Sequence, residues 1–218
     1  MIKVHIDINE VLRYLGVGRN KADMKLKLYI SECIKEILDI AYPMYVYKMF
    51  DLKFTDEYAW IKQTNTLLMG KDINRYLNGC FKCAVMGATL GISVDKRIRY
   101  YKSYDLTRSF VLDACATALI ENVCDKVQEE IKLIAKEEYH LNIMPRYSPG
   151  YGDFPLDIQP DLLNILEANR IGLTVNDNLI MIPRKSVTAI IGLKDKGVSV
   201  NMGCESCLKR DSCNFRRE

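Results

Sequence analysis

Histidine is nearly absent from this 218-residue chain: His5 and His140 are the only two, and neither has a partner at metal-ligand or triad spacing. Chemistry built on an imidazole base or a histidine-rich metal site therefore drops out of the leading readings. Long apolar runs are also missing. No segment approaches the roughly 20 residues needed to cross a bilayer, and the first residues carry no extended apolar stretch of the secretory type. The expectation is a cytoplasmic protein. Charge of one sign is lacking too, since 31 basic residues are interspersed with 28 acidic ones for a formal charge of +3. No concentrated field points to nucleic acid or to a membrane surface. A glycine-rich phosphate loop after a strand is not found either; residues 87–91, Gly-Ala-Thr-Leu-Gly, come nearest and fall short of the pattern. There is no internal repeat and no low-complexity segment.

What the chain does have is apolar content, 49% of its residues, enough to bury a real core. One domain over residues 1–200 with a cysteine-rich tail over 201–218 is the expected organisation. Residues 2–8 alternate like a strand, and Asn9 is a plausible cap for a short helix ending at Gly16. Residues 23–41 place apolar side chains at helical spacing and stop before Pro43. Residues 44–54 and 58–69 read as two pairing strands, residues 70–79 as a short helical link, and residues 80–90 as a strand buried on both faces. Ser93 can cap a helix over 94–101. The longest helix spans residues 105–139, with Phe110, Ala114, Ala118, Leu119, Val123, Val127, Ile131 and Ile134 as its apolar stripe. A helix over 160–169 and strands over 174–182 and 186–193 follow. Helices and strands mix without regular βαβ alternation, which predicts an α+β fold: a largely antiparallel sheet with packed helices, one of them long and central.

The densest stretch is 146–159, Arg-Tyr-Ser-Pro-Gly-Tyr-Gly-Asp-Phe-Pro-Leu-Asp-Ile-Gln. Pro149-Gly150 favours a tight turn, because proline fixes φ and glycine accepts positive φ. Asp153 can cap the helix that Pro155 opens. The outcome is a polar, aromatic-walled corner whose Arg146 can grip a carboxylate through two parallel hydrogen bonds. Its bland alternative is a turn with an exposed arginine.

Arg146-x-x-Pro149-Gly150-Tyr151, the helix over 160–169, Ile171-Gly172-Leu173-Thr174 and Met181-Ile182-Pro183-Arg184-Lys185-Ser186-Val187 together resemble the activation domain of cobalamin-dependent methionine synthase. In this version, with Gly152-Asp153-Phe154-Pro155, the chain is similar to the short free-standing members of that family. The resemblance is clearest over residues 70–193. It implies an antiparallel sheet with surrounding helices and a site for S-adenosylmethionine built from Arg146, Ser148, Gly150 and Tyr151. It also implies a reaction in which cobalamin in the Co(II) state is reduced by one electron and methylated by S-adenosylmethionine. The corrinoid is the nucleophile, so no general base and no catalytic residue is called for. Cobalamin would sit on a partner, a methionine synthase or related corrinoid protein, and an electron donor would be needed as well. In the fused enzymes of the family an aspartate near the start of the domain and a tyrosine pair soon after the Pro-x-x-Ser-Val strands also contact the methyl donor. Residues 194–201 hold no tyrosine, and no N-terminal residue is assigned to the aspartate. Glu121 acquires no role from the resemblance and reads as a helix-face carboxylate. The rival readings are a module that binds a corrinoid protein or small ligand without methyl transfer and, more weakly, an independent S-adenosylmethionine-dependent methyltransferase.

Eight cysteines without a secretion signal are expected to be thiols, with Cys33 and Cys115 acting as small hydrophobes. The tail set Cys204-x-x-Cys207 with Cys213 could hold zinc or an iron–sulfur cluster, with Cys80 or Cys83 as a fourth ligand. It could equally be three redox-labile thiols.

Overall fold

The computed structural model describes residues 4–18, 22–55 and 57–195. Its centre is β4, Lys82–Thr89, a run of small and apolar residues with seven consecutive buried positions. Such a run can be satisfied only where both faces of the strand are covered. β4 pairs antiparallel with β1, Met44–Phe54, on one side and with β8, Ser186–Lys194, on the other. The hairpin strands β2, Tyr58–Ile61, and β3, Leu67–Met69, extend the sheet beyond β1, and the two-residue β5, Asn142–Ile143, closes the far edge. The order is β3-β2-β1-β4-β8-β5, and every pairing is antiparallel. The α+β architecture expected from the sequence is the one observed.

One sheet face carries α1, Ile8–Tyr14, α2, Met24–Ile40, α4, Ile92–Lys102, and α5, Leu106–Glu138. These helices bury Ala84, Met86 and Ala88 of β4 with Ala189, Ile191 and Leu193 of β8. The other face carries α3, Lys71–Leu77, and α6, Gln159–Leu166, over Val85 and Ile190. Strand alternation thus divides one sheet between two apolar cores. α5 is the long central helix, begun by Asp105, whose carboxylate accepts from the Arg108 N–H at 2.9 Å. Its alanines and Cys115 are buried and let neighbouring helices approach closely.

Several local expectations change. Residues 4–7 form no strand; Asp7, not Asn9, caps α1 by accepting from the Asn9 N–H at 2.8 Å. A satisfied N-terminal donor starts the helix before any strand partner is met. α4 starts at Ile92 after Gly91, whose φ of +82° turns the chain, so Ser93 lies within the first turn instead of capping it. Residues 58–69 break into the β2–β3 hairpin, where Thr64 donates its hydroxyl to Ile61 O and Trp60 Nε1 donates to Thr64 O. Residues 174–182 likewise split into a separate ribbon, β6, Thr174–Val175, and β7, Met181–Ile182. There the Asn176 side chain accepts from the Asn178 and Ile180 N–H groups and folds the chain back. Phe110 leaves the expected stripe and is 61% exposed.

Candidate functional site

Arg146 follows β5, where the chain runs along the β8 edge and pairs Tyr147 with Ile190 through two backbone hydrogen bonds of 2.9 Å. In an extended chain consecutive side chains face opposite ways. Tyr147 turns to the α3 side and stacks on Tyr76, with ring centroids 4.9 Å apart. Arg146 accordingly turns to the α5 side. There its Nη2 lies 2.8 Å from Asp125 Oδ1 and 3.1 Å from Glu121 Oε2, and its Nη1 donates to Gln128 Oε1 at 3.3 Å. Glu121, Asp125 and Gln128 are spaced four and three apart, which aligns them on one helix face. The arginine side chain is only 15% exposed. Burial opposes its charge, while Cys124, Asp125 and Glu121 together hold its pKa above the ordinary value.

The corner after Arg146 is a folded turn. Gly150 N–H donates to Phe154 O, Tyr151 N–H to Ser148 O and Phe154 N–H to Tyr151 O, at 2.8, 3.2 and 3.0 Å. Gly150 has φ of +90°, as the Pro-Gly turn requires. The Gly150 N–H and the Ser148 carbonyl are consumed inside the turn, so a ligand would meet the corner's other groups. Tyr151 stands 60% exposed at its rim. Burial and then the Glu121 charge raise its phenol pKa, with Arg146 opposing.

Asp153 does not cap the helix that follows it. Its carboxylate accepts from the backbone N–H groups of Lys71 at 2.7 Å and Asp72 at 2.9 Å, so it caps α3 instead. The turn geometry aims it there: Gly152 sits so close to α3 that a Cβ at that position would collide with the Asp72 carboxylate and crowd Tyr147 Oη. Pro155 precedes a short 3-10 turn, Leu156–Ile158, and Pro160 occupies the first turn of α6.

Beside the guanidinium, His5, Asp7, Glu10, Ala118, Glu121, Asn122 and Asp125 line a shallow depression of about 270 Å³. His5 N–H donates to Asn122 Oδ1 at 3.2 Å, which ties the N-terminal segment to α5. The structure therefore sets Glu121 and Asp125 of α5 against the expected arginine and brings Asp7 and Glu10 into the depression beside them. Sequence reading missed Asp7, Glu121 and Asp125. The available signal was the four-residue spacing of polar groups along α5, from Asp113 and Thr117 to Glu121 and Asp125. Lys185, just before β8, engages the first two at 2.9 and 2.8 Å, as Arg146 engages the second two.

Cys204, Cys207 and Cys213 lie outside the described residues. Cys80 and Cys83 are buried in the α3-side core. Burial pushes the Cys80 thiol up to about 11, Lys194 opposing, and raises Cys83 further. Among the described residues no three His, Cys, Asp or Glu side chains are placed to hold a metal ion, and no helix is long and apolar enough to cross a membrane.

No protein-family model matches the chain. No curated protein matches it either. Among solved structures, it is similar to the crystal structure of the MetH reactivation domain bound to AdoHcy, with a TM-score of 0.66 at 13% sequence identity over 89% of this chain and 76% of that one. At that identity the likeness is one of fold.

Proposed function

We propose that the chain is an accessory reactivation protein, binding S-adenosylmethionine between the Arg146 corner, α5 and α1 in support of reductive methylation of cob(II)alamin on a separate methionine synthase. The observation that carries this reading is the charge pattern around Arg146: one buried cation with Glu121 and Asp125 against it and Asp7 lining the adjoining depression. S-adenosylmethionine has the opposite pattern, one carboxylate with an ammonium and a sulfonium. Arg146 Nε–H, which has no partner among the described residues, remains for the ligand carboxylate. Glu121, Asp125 and Asp7 favour the two cationic centres. Asp7 is also the one aspartate near the start of the chain that the fold brings to this place, which supplies a candidate for a residue that motif reading left unassigned. The exposed Tyr151 ring offers a face to a sulfonium or an adenine.

The fold shared with a reactivation domain that was crystallised with AdoHcy supports the same reading. When bound, the ligand supplies the methyl group. The work of this chain is to bind and orient it, so the site needs no general base.

Calorimetric titration tests the proposal. Wild-type protein should bind S-adenosylmethionine, and Arg146→Ala should weaken binding by at least about tenfold, in line with loss of a charge-assisted hydrogen bond worth about 1.5–3 kcal/mol. Wild-type protein that takes up no ligand at millimolar concentration would rule out the methyl-donor role. With a Co(II) corrinoid protein, an electron source and S-adenosylmethionine, the chain should speed the appearance of the methyl-Co(III) spectrum. An unchanged rate despite ligand binding would favour the module that binds without methyl transfer.

A further inference from the structure

α4 and α5 form a helical hairpin, and between them runs a groove that plays no part in the Arg146 site. It is about 450 Å³ in volume, within the range of small-molecule sites. Its two walls differ in character. Along α4 stand Asp95, Arg99 and Lys102; along α5 stand Leu106, Phe110 and Asp113. Arg184 and Lys185, from the turn between β7 and β8, also line it.

The four cations are not equivalent. Lys185 is held by Asp113 at 2.9 Å and by the Thr117 hydroxyl at 2.8 Å. None of Arg99, Lys102 and Arg184 forms an ion pair among the described residues. The other carboxylate, Asp95, is engaged by the Arg184 backbone N–H at 2.6 Å, which fixes the backbone from which that guanidinium projects. The groove therefore presents a surplus of positive charge on a positioned frame.

The opposite wall is apolar and open. Leu106 is 69% exposed and Phe110 is 61% exposed, one helical turn apart. The floor offers no competing polar group, because the buried Ser109 hydroxyl already donates to Ile98 O at 3.0 Å. A ligand that satisfies both walls carries a compact anion with several acceptor oxygens on one side and a flat or apolar body on the other. Guanidinium pairs match phosphate oxygens bidentately, and an exposed phenyl ring matches a planar group.

We propose that this groove binds a small soluble organic phosphate, with its phosphate on Arg99, Lys102 and Arg184 and its apolar body against Leu106 and Phe110. The assignment stands apart from the methyl-donor reading, since neither site borrows a residue from the other.

Phenyl phosphate and inorganic phosphate are the probes, titrated calorimetrically into the full chain. Phenyl phosphate should bind at least tenfold more tightly than inorganic phosphate. Arg184→Gln and Arg99→Gln should each weaken phenyl phosphate at least fivefold, and Phe110→Ser should weaken phenyl phosphate while leaving inorganic phosphate unchanged. All three side chains are exposed, so these variants should fold, and S-adenosylmethionine titrated into the same variants should behave as with wild type. Equal binding of the two phosphates, indifference to both arginine changes, or no binding at millimolar concentration would overturn the proposal. Retention on phosphatidic acid vesicles without phenyl phosphate binding would overturn it in favour of a membrane surface.

Discussion

Asp153 and Lys71 are 82 positions apart in the chain, yet the carboxylate of the first accepts the backbone N–H of the second at 2.7 Å. The turn that positions Arg146 is in this way bolted to the start of α3. The cap is a single side chain, and its protonation state decides whether it holds.

Replacing Asp153 with Asn should lower the urea midpoint at neutral pH and weaken ligand binding at the Arg146 corner together. The pH dependence has a definite sign. The backbone N–H groups of Asp72 and Lys71 lower the Asp153 pKa, so its contribution is complete above the unfolded value of about 3.9 and is lost as pH falls through the folded value. Unfolding curves for both proteins from pH 7 to pH 3 should therefore converge at the acid end. A gap that persisted unchanged at pH 3 would contradict this account.

Glu121→Gln keeps the size of the side chain and an acceptor for Arg146 but removes a negative charge. If Glu121 serves a ligand with two cationic centres, the variant should lose several-fold in affinity for S-adenosylmethionine and less for AdoHcy, which lacks the sulfonium charge. Parallel titrations with the two ligands read the difference. Equal losses would assign Glu121 to holding Arg146 alone.

Gly192 lies in the middle of β8 where a Cβ would meet Cys80 Sγ at 2.7 Å and Leu77 and Met144 side-chain carbons at 3.2 Å. Gly192→Ala should cost about 1–3 kcal/mol by overpacking. Adding Cys80→Ala removes the nearest of these atoms and should recover part of the loss, a non-additivity that denaturant titration of the single and double variants would measure. Additive costs would mean that Leu77 and Met144 set the constraint.

The five described thiols are all buried. Burial pushes Cys33 up to about 11 and Cys115 and Cys124 up to about 12, in the same direction as Cys80 and Cys83. Thiolate is the reactive form, so at most three of the eight cysteines should react promptly with a disulfide reagent in native protein at pH 8. All eight should react after denaturation. Zinc or iron found in anaerobically prepared protein should depend on Cys204, Cys207 and Cys213, and should be released by Cys207→Ser and retained in Cys80→Ala. Metal lost from the Cys80 variant would return that thiol to the ligand set.

Much of this protein was legible from local pattern alone. The helical spacing of residues 23–41 and 105–139 and the two-faced apolar run of β4 report nearest-neighbour physics, which a linear sequence records directly. The sharp turn at Pro149-Gly150 belongs to the same class, because φ preferences are written residue by residue. Tertiary structure alone decided what those pieces meet. Strand order places β8 beside β4, and only then does the β8 edge carry Arg146 to α5. Asp153 found its donors on α3, not on the helix next to it. Asp7, which caps α1 where the sequence pointed to Asn9, also came to line the depression beside Glu121 and Asp125. The reason is common to all three: a charge or hydrogen-bonding group takes the partner that is nearest in space once the apolar faces are buried, and packing sets that partner across stretches of chain, 82 residues for Asp153 and Lys71 and 25 for Arg146 and Glu121, over which local spacing carries no signal.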